Sequence, residues 1–549
     1  MKGLRSTREF GIFALIVAAF VSVASQRLGV VPVPEGDEAF TLQVPYEMLY
    51  RGKLALPMLR YLGGNIENVW HSFTPVYFLL LSAFHKVFGF GLVEGRAFNL
   101  VTAALTLLMV YIIGRRLFDW RAGLVAVTML VGDQTFLERS RLLRNDYAAA
   151  TFALLAFYLY EVATERKKSR FYILSGLAAG AGVMCHTNIL YMVGAICLLI
   201  LLTEGRRAFS SKKLYLFAGG AFVVMAYEVI YDLIDYKNFV LQNRGDEVHF
   251  RVLTRLGLWQ NLLAEKERYA RWYTGSVMFP ELPQTTLRVF QLLAVIAIIY
   301  LVVVCARRMR RGAVLSDPRV RVFVVTATVI LFHALIVSHK RIYYMAHLAP
   351  WFAICVGIAL RDALVRISRF GDETWPGAKL AARCAVVLVV VAAAGFGLQL
   401  ARQNKDFVEH LRNPELASFE EFTTVIRNIV PDGLCPVAVK NPCVWLAFSE
   451  DDRCFATIES RMRNALDFDG KDYALVTRLN ALPERVRDDS DSDEGRSGGY
   501  HLIGEMRNTP YGNLVIYYTG DDPNYLAPTP KRYQFHGDLR GHVGIDQER

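Results

Sequence analysis

The strongest constraint on this chain is a series of apolar stretches, each about as long as a membrane is thick. A helix crossing the ~30 Å hydrocarbon core needs about 20 residues. Candidate stretches lie near residues 10–31, 74–90, 97–113, 122–137, 147–163, 171–185, 189–203, 214–233, 287–306, 320–337, 346–361 and 379–399. The 549 residues are 53% hydrophobic and 21% charged, too apolar for a set of water-soluble domains of this length. The chain therefore reads as a polytopic α-helical membrane protein. Its net charge of +11 lies in short clusters between apolar blocks, which marks a cytoplasmic side and argues against nucleic acid as a partner. Lys2, Arg5 and Arg8 precede the first block, and Ala24-Ser25 looks like a small-residue cleavage site. An uncleaved first span is the expectation, because the rest of the chain is built the same way.

Charge then decides which blocks cross. If all twelve do, the basic loops at 114–121, 164–170 and 307–319 fall outside, against the positive-inside rule. Removing one early span repairs every loop. The block at 74–90 is short, starts at Thr74-Pro75 and contains His85 and Lys86, so it reads as a helix lying on the outer face. The prediction is about eleven spans, N-terminus inside, with residues 1–400 as the membrane domain. Residues 401–549 form a small α/β extracytoplasmic domain. Short strands are expected at 436–439, 473–476 and 514–518, helices at 415–430 and 443–449, a hairpin around 510–513 and a polar loop at 487–499. Cys435, Cys443 and Cys454 match no zinc motif, and any pairing among them stays open.

The outer loops of this topology span 32–96, 138–146, 234–285 and 338–345. Two of them stay basic against the rule, with Arg139, Arg141 and Arg144 in one and Lys340 and Arg341 in the other. Anionic lipid headgroups or lipid phosphates are their natural partners, ordinary lipid anchoring being the alternative. The first loop opens with Gly36-Asp37-Glu38-Ala39, and the amphipathic stretch 40–49 would hold those carboxylates at headgroup depth. Asp146 stands at the start of a span, where a helix cap is the plain structural reading. Glu228, Asp232 and Asp235 read as a wetted rim of another span. No His/Cys/Asp cluster has clear metal-ligand spacing, so no obligatory metal or other cofactor is expected, a divalent metal being open but not indicated.

Together these loops resemble the GT-C glycosyltransferases, and within them the protein-mannosyltransferase and aminoarabinose-transferase branch with its bacterial lipopolysaccharide-core relatives. The resembling residues are Gly36 to Ala39, Phe73-Thr74-Pro75-Val76-Tyr77, Arg141 to Asp146, and Lys340-Arg341-Ile342-Tyr343-Tyr344 with Pro350 beyond. The resemblance covers roughly residues 10–400. It implies inverting transfer of a sugar from a polyprenyl-phosphate donor to a hydroxyl on a lipid, glycan or protein, at the outer face of a bacterial inner membrane. By that likeness Asp37 is the base, with Glu38 as an orienting group. Asp146 would orient the acceptor or an arginine. Arg141, Arg144, Lys340 and Arg341 would bind the donor phosphate, and Tyr77, Tyr343 and Tyr344 would line the substrate site.

Two positions depart from the pattern. Relatives often carry a lysine or a second proline near Pro75, where this chain has Phe73-Thr74. Many also carry a lysine where this chain has Cys185-His186-Thr187-Asn188, so His186 either binds phosphate or satisfies a polar turn. A secondary transporter would place charge near the bilayer midplane and show an inverted repeat, whereas this chain concentrates charge at helix ends. A non-catalytic scaffold gives no reason for the acidic outer loops.

Overall fold

The structure, a computed structural model, describes residues 5–242 except 30, 33, 35, 72 and 73, then 255–274, 287–309 and 316–370. Beyond these it describes residues 397, 401, 405, 408, 409, 419–430, 437–439, 445, 455–457, 473–478, 496, 497, 500–509, 512–519, 531–536 and 544–547. Phe73, the predicted span at 379–399 apart from residue 397, residues 487–495, 498 and 499 of the polar loop and the three tail cysteines lie outside these.

Long helices dominate the first part of the chain: α1 (Arg5–Ala24), α2 (Gly36–Tyr46), α3 (Pro75–Phe88), α4 (Leu92–Leu117), α5 (Trp120–Val131), α6 (Gln134–Ser140), α7 (Asp146–Arg166) and α8 (Ser169–Val183). They continue with α9 (Leu190–Glu204), α10 (Lys212–Ile234), α11 (Tyr236–Gln242), α12 (Arg255–Thr274), α13 (Leu287–Met309), α14 (Pro318–Leu335) and α15 (Met345–Phe370). Among the described residues, seven helical segments are long and apolar enough to cross a membrane: 92–117, 146–166, 187–210, 212–234, 289–308, 318–335 and 342–367. Each coincides with a predicted span. Three of the other four predicted spans correspond to α1, the α5–α6 pair and α8. On α10, Phe222, Val223, Tyr227 and Ile230 stand exposed, and on α13 so do Leu292, Val295, Ile296 and Ile299. Contiguous apolar faces of this size suit lipid, and a helix can present them because it satisfies its own backbone.

Helix α3 is short: 14 residues rise about 21 Å, well under the hydrocarbon thickness. The starts of α2 and α7 meet, since Arg144 pairs with Asp37. An even number of crossings must separate them. Helix α4 is one, and the α5–α6 pair, bent at Gly132-Asp133, supplies the other. With these two as the crossings, α3 lies on one face, as the charge pattern of the loops predicts. The stretch after Asp37 differs from expectation: Ala39, Leu42, Gln43, Val44 and Pro45 are buried in protein, so α2 is held by α3 and α4 and not by lipid.

The helices approach closely where side chains are absent. A Cβ on Gly176 in α8 would overlap the Phe217 carbonyl oxygen of α10. One on Gly180 would lie 2.6 Å from Ala221 O, and one on Gly220 2.5 Å from Ile173 O. Small residues let backbones pack where lipid supplies no hydrophobic drive.

The tail forms helix α16 (Phe419–Ile429) and a mixed sheet with strand order β2-β1-β3-β6-β5-β7-β8, β4 pairing with β5. Strands β1 (Val437–Val439), β2 (Phe455–Thr457) and β3 (Tyr473–Arg478) are parallel. After β4 (Arg496–Ser497), strands β5 (Tyr500–Thr509) and β6 (Gly512–Thr519) make the expected hairpin. Strand β7 (Lys531–His536) runs parallel to β5, and β8 (Gly544–Gln547) closes the edge. Ring contact between Tyr46 and Trp445 brings the tail to the end of α2.

The α8–α10 contact yields a paired test. Gly176→Leu should lower stability by about 1–3 kcal/mol or more through overpacking. Gly219→Ala, on the same α10 but with nothing within 4 Å of its Cβ position, should be neutral in the same thermal unfolding assay in detergent. Topology is tested by thiol labelling: cysteines placed at the exposed Ser25 and Arg121 should label from opposite sides of the membrane.

Candidate active site

The site is built where three helix breaks converge: the start of α2, the Arg141–Asn145 turn before α7, and the 3-10 turn at Ile342–Tyr344 before α15. Neighbouring residues Asp37 and Glu38 open α2, where carboxylates complement the helix dipole. About 100° of helical rotation separates them, and the consequence is large. Glu38 turns inward, fully buried, and receives Arg96 Nε at 2.8 Å and Nη2 at 2.7 Å in a two-pronged pair. It also accepts the Leu143 N–H at 2.8 Å. Asp37 turns outward, with its side chain 54% exposed, and is met by Arg144 Nη1.

Arg144 links the parts. Its Nε donates to Asp146 Oδ2 at 2.9 Å, and its guanidinium carbon lies 3.5 Å from the centre of the Tyr343 ring. Burial works against its charge, but Asp146 and Asp37 raise its pKa well above the ordinary value, so it is a permanent cation. Asp146 does not cap α7; its carboxylate orients Arg144. Arg341 is exposed and has no ion pair among the described residues. Tyr77 is buried near Glu38, Arg144 and Asp146; burial raises its phenol well above the usual range, and its hydroxyl has no hydrogen-bond partner among the described residues. Tyr343 and Tyr344 are half-buried beside Arg144 and His186.

Other predicted site residues are placed differently. Arg141 is buried and donates to the carbonyls of Ala24 at 2.6 Å and of Gln26 and Val31 at 2.7 Å each. These bonds anchor the turn to the end of α1, a structural use the phosphate-binding expectation did not include. Lys340 is also buried; its ammonium binds the carbonyls of His333, Ala334 and Val337 at 2.8, 3.1 and 2.8 Å, with Glu265 at 3.1 Å. It caps the C-terminal end of α14, where orphan carbonyls need donors. Glu38 is fully buried, with its carboxylate taken up by Arg96 and the Leu143 N–H. Glu228 and Asp232 are buried instead of wetted. Asp232 and Asp235 each approach His71 at 3.0 Å, tying the first outer loop to α10.

His186 lies in the polar turn after α8. Its Nδ1 accepts the Asn188 N–H at 3.1 Å, and burial pushes its pKa down to about 3, so the ring is neutral. Its Nε2 lies 3.7 Å from Asp146 Oδ1, and His347 Nε2 lies 3.2 Å from the same oxygen. Ligand atoms of Asp146, His186 and His347 thus gather within 4.8 Å. Spacing along the sequence gave no sign of this cluster, because its members come from three separate segments. Arg96, His347 and Asn99, whose amide gathers the carbonyls of Arg139, Ser140 and Leu142, were also missed. A polar residue within an apolar span was the available signal for Asn99.

Residues 72–231 match the family described as dolichyl-phosphate-mannose-protein mannosyltransferase. The whole chain is similar in structure to ArnT from Cupriavidus metallidurans bound to undecaprenyl phosphate. The TM-score is 0.57 at 13% identity, covering 96% of this chain and 100% of that one. The chain has the GT-C fold. The archaeal oligosaccharyltransferase AglB from Archaeoglobus fulgidus, solved with an inhibitory peptide and a dolichol-phosphate, also matches. Its TM-score is 0.52 at 13% identity, covering 82% of this chain and 64% of that one. No curated protein sequence matches the chain. The resemblance to the protein-mannosyltransferase and aminoarabinose-transferase branch of GT-C proteins therefore holds in sequence over 72–231 and in fold over nearly the whole chain.

The buried pair carries a clear expectation. Arg96→Met leaves the Glu38 carboxylate uncompensated and should cost about 3–5 kcal/mol, whereas Arg96→Met with Glu38→Met should regain much of it. Thermal unfolding of the purified variants in one detergent checks the order. Activity should stay low in the double variant because the Leu143 N–H loses its acceptor.

Proposed function

We propose that the protein is a membrane glycosyltransferase that moves a sugar from a polyprenyl-phosphate-linked donor to an acceptor hydroxyl on a lipid, glycan or protein, with inversion. The observation that carries this reading is the contact of exposed Asp37 with buried Arg144, at a point where helix ends meet beside lipid-facing helices. Support comes from the family match over 72–231 and from the GT-C fold, which ArnT uses with undecaprenyl phosphate.

The chemistry requires a base on one side of the anomeric carbon and a cation at the leaving group on the other. A sugar or alcohol hydroxyl is a weak nucleophile at neutral pH, so Asp37 takes its proton as the new C–O bond forms. The bond from the anomeric carbon to the phosphate oxygen breaks, and the electron pair leaves with the lipid phosphate. Arg144 and Arg341 hold the resulting negative charge. Attack and departure on opposite faces invert the configuration.

The paired state of Arg144 gives an order to these events. While Arg144 holds Asp37, the carboxylate is partly neutralised as a base. A donor phosphate competes for the same guanidinium and draws it away, with Asp146 retaining the arginine's Nε. Donor binding thereby frees Asp37, and the base becomes active when there is a sugar to transfer.

Cells lacking the protein should accumulate a polyprenyl-phosphate sugar and lose an envelope glycan, both restored by the wild-type chain. Asp37→Asn should leave the protein in the membrane at normal level yet reduce transfer by about 10²–10⁴-fold, the range for loss of a general base. Full restoration by Asp37→Asn would sink the assignment. Arg144→Lys keeps a charge but loses the two-sided fork, so it should weaken donor binding as well as turnover.

A further inference from the structure

Below Arg144, the structure gathers polar atoms that have no use in the sugar-transfer scheme. Asp146 Oδ1 and both ring nitrogens of His347 are buried and make no hydrogen bond among the described residues. Asp146 is 2% exposed and His347 0%. Buried polar atoms left unpaired are costly and call for a partner. His186 Nε2 points at the same carboxylate oxygen from the turn after α8.

We infer that Asp146, His186 and His347 hold a divalent transition-metal ion of the zinc class at the floor of the site. The distances suit this. Metal bonds to imidazole and carboxylate near 2.0–2.2 Å in a tetrahedron place ligand atoms about 3.4 Å apart. Asp146 Oδ1 lies 3.2 Å from His347 Nε2 and 3.7 Å from His186 Nε2. The three ligands come from the start of α7, the α8–α9 turn and α15, so the fold and not local spacing sets the geometry. Two imidazoles and one carboxylate select zinc, cobalt or nickel over magnesium and calcium, which favour oxygen. Three protein ligands leave a fourth position for water or an anion.

Binding at His186 Nε2 places the ring proton on Nδ1, so the contact with the Asn188 N–H is exchanged for a metal bond. Asp146 keeps its other oxygen on Arg144, which couples the ion to the arginine facing Asp37. That the fourth position takes a donor phosphate oxygen rests on the proposed function; metal binding itself does not.

The test uses the full-length protein in detergent, stripped with a chelator and titrated with Co²⁺. The wild type should bind close to one ion per chain, with the visible absorption of a tetrahedral cobalt centre, and should gain thermal stability as the ion binds the folded state. His186→Ala with His347→Ala should weaken binding by well over tenfold and remove the absorption. His347→Cys restores a ligand and should add a thiolate-to-cobalt band. Excess Mg²⁺ should not displace the ion. Binding in the wild type no stronger than in the double variant would overturn the assignment. If the double variant fails to fold, a His347→Cys protein without the thiolate band overturns it equally. Loss of transfer in Asp37→Asn with cobalt binding intact separates the two readings, because Asp37 is not a ligand.

Discussion

Glu38 and Arg96 stand 58 residues apart in the chain, and neither side chain is exposed. Removing both charges from water costs more than their attraction returns in most settings, so stability alone does not explain the pair. Its effect is positional. Arg96 fixes Glu38 on the face of α4, and Glu38 uses the same carboxylate to accept the Leu143 N–H. Three segments are thereby held in one register: the first turn of α2, a point on α4, and the turn leading into α7. With Glu38 committed inward, the adjacent Asp37 faces outward. The place of Arg144 one residue after Leu143 follows from the same bond.

Arg144 then inherits a shared burden. Two carboxylates and one aromatic face compete for a single guanidinium, and the geometry gives each a different edge of it. Asp146, buried and on the rigid start of α7, is the fixed partner. Asp37, half in solvent, is the exchangeable one. A phosphate arriving beside Arg144 meets a cation whose position is set by Asp146 and whose second donor edge faces the solvent side. Such an arrangement places charge where it develops during departure of a lipid phosphate, with little reorganisation at that moment.

Much of this was readable in the sequence. Hydropathy located the seven crossing segments because a 20-residue apolar run has few alternatives. The positive-inside rule demoted α3, and the meeting of Asp37 with Arg144 is compatible with that topology. Asp37, Arg144 and Asp146 were chosen from motif and charge, and they do come together. What sequence did not separate was Asp37 from Glu38, since adjacent carboxylates look alike until a helix turns one inward. Asn99 and His347 were lost inside apolar runs, where one polar residue barely changes the average, and Arg96 stood at the edge of one, among loop residues. Their partners lie tens to hundreds of residues away, and no periodicity encodes such a distance.

The least readable feature was the division of labour among the cations. Charge clusters against the topology rule suggested four phosphate ligands, yet Arg141 and Lys340 bind backbone carbonyls. The cause lies in how the site is built. The side chains of the candidate site sit at helix breaks, because a continuous helix cannot bring α2, α7 and α15 to one point. Each break frees carbonyls, and next to a bilayer there is little water to satisfy them. A long cationic side chain with several donors can gather two or three such carbonyls at once, as Arg141 does at the end of α1 and Lys340 at the end of α14. Basic residues in these loops therefore divide into those that make the break tolerable and those that face substrate. Burial with several carbonyl partners identifies the first group; Arg144, paired with the exposed carboxylate of Asp37, and the exposed Arg341 fall outside it. On that criterion Arg144 and Arg341 are the cations left for the anionic leaving group of the proposed transfer, and the number of positive charges in a loop overstates those free to meet an anion.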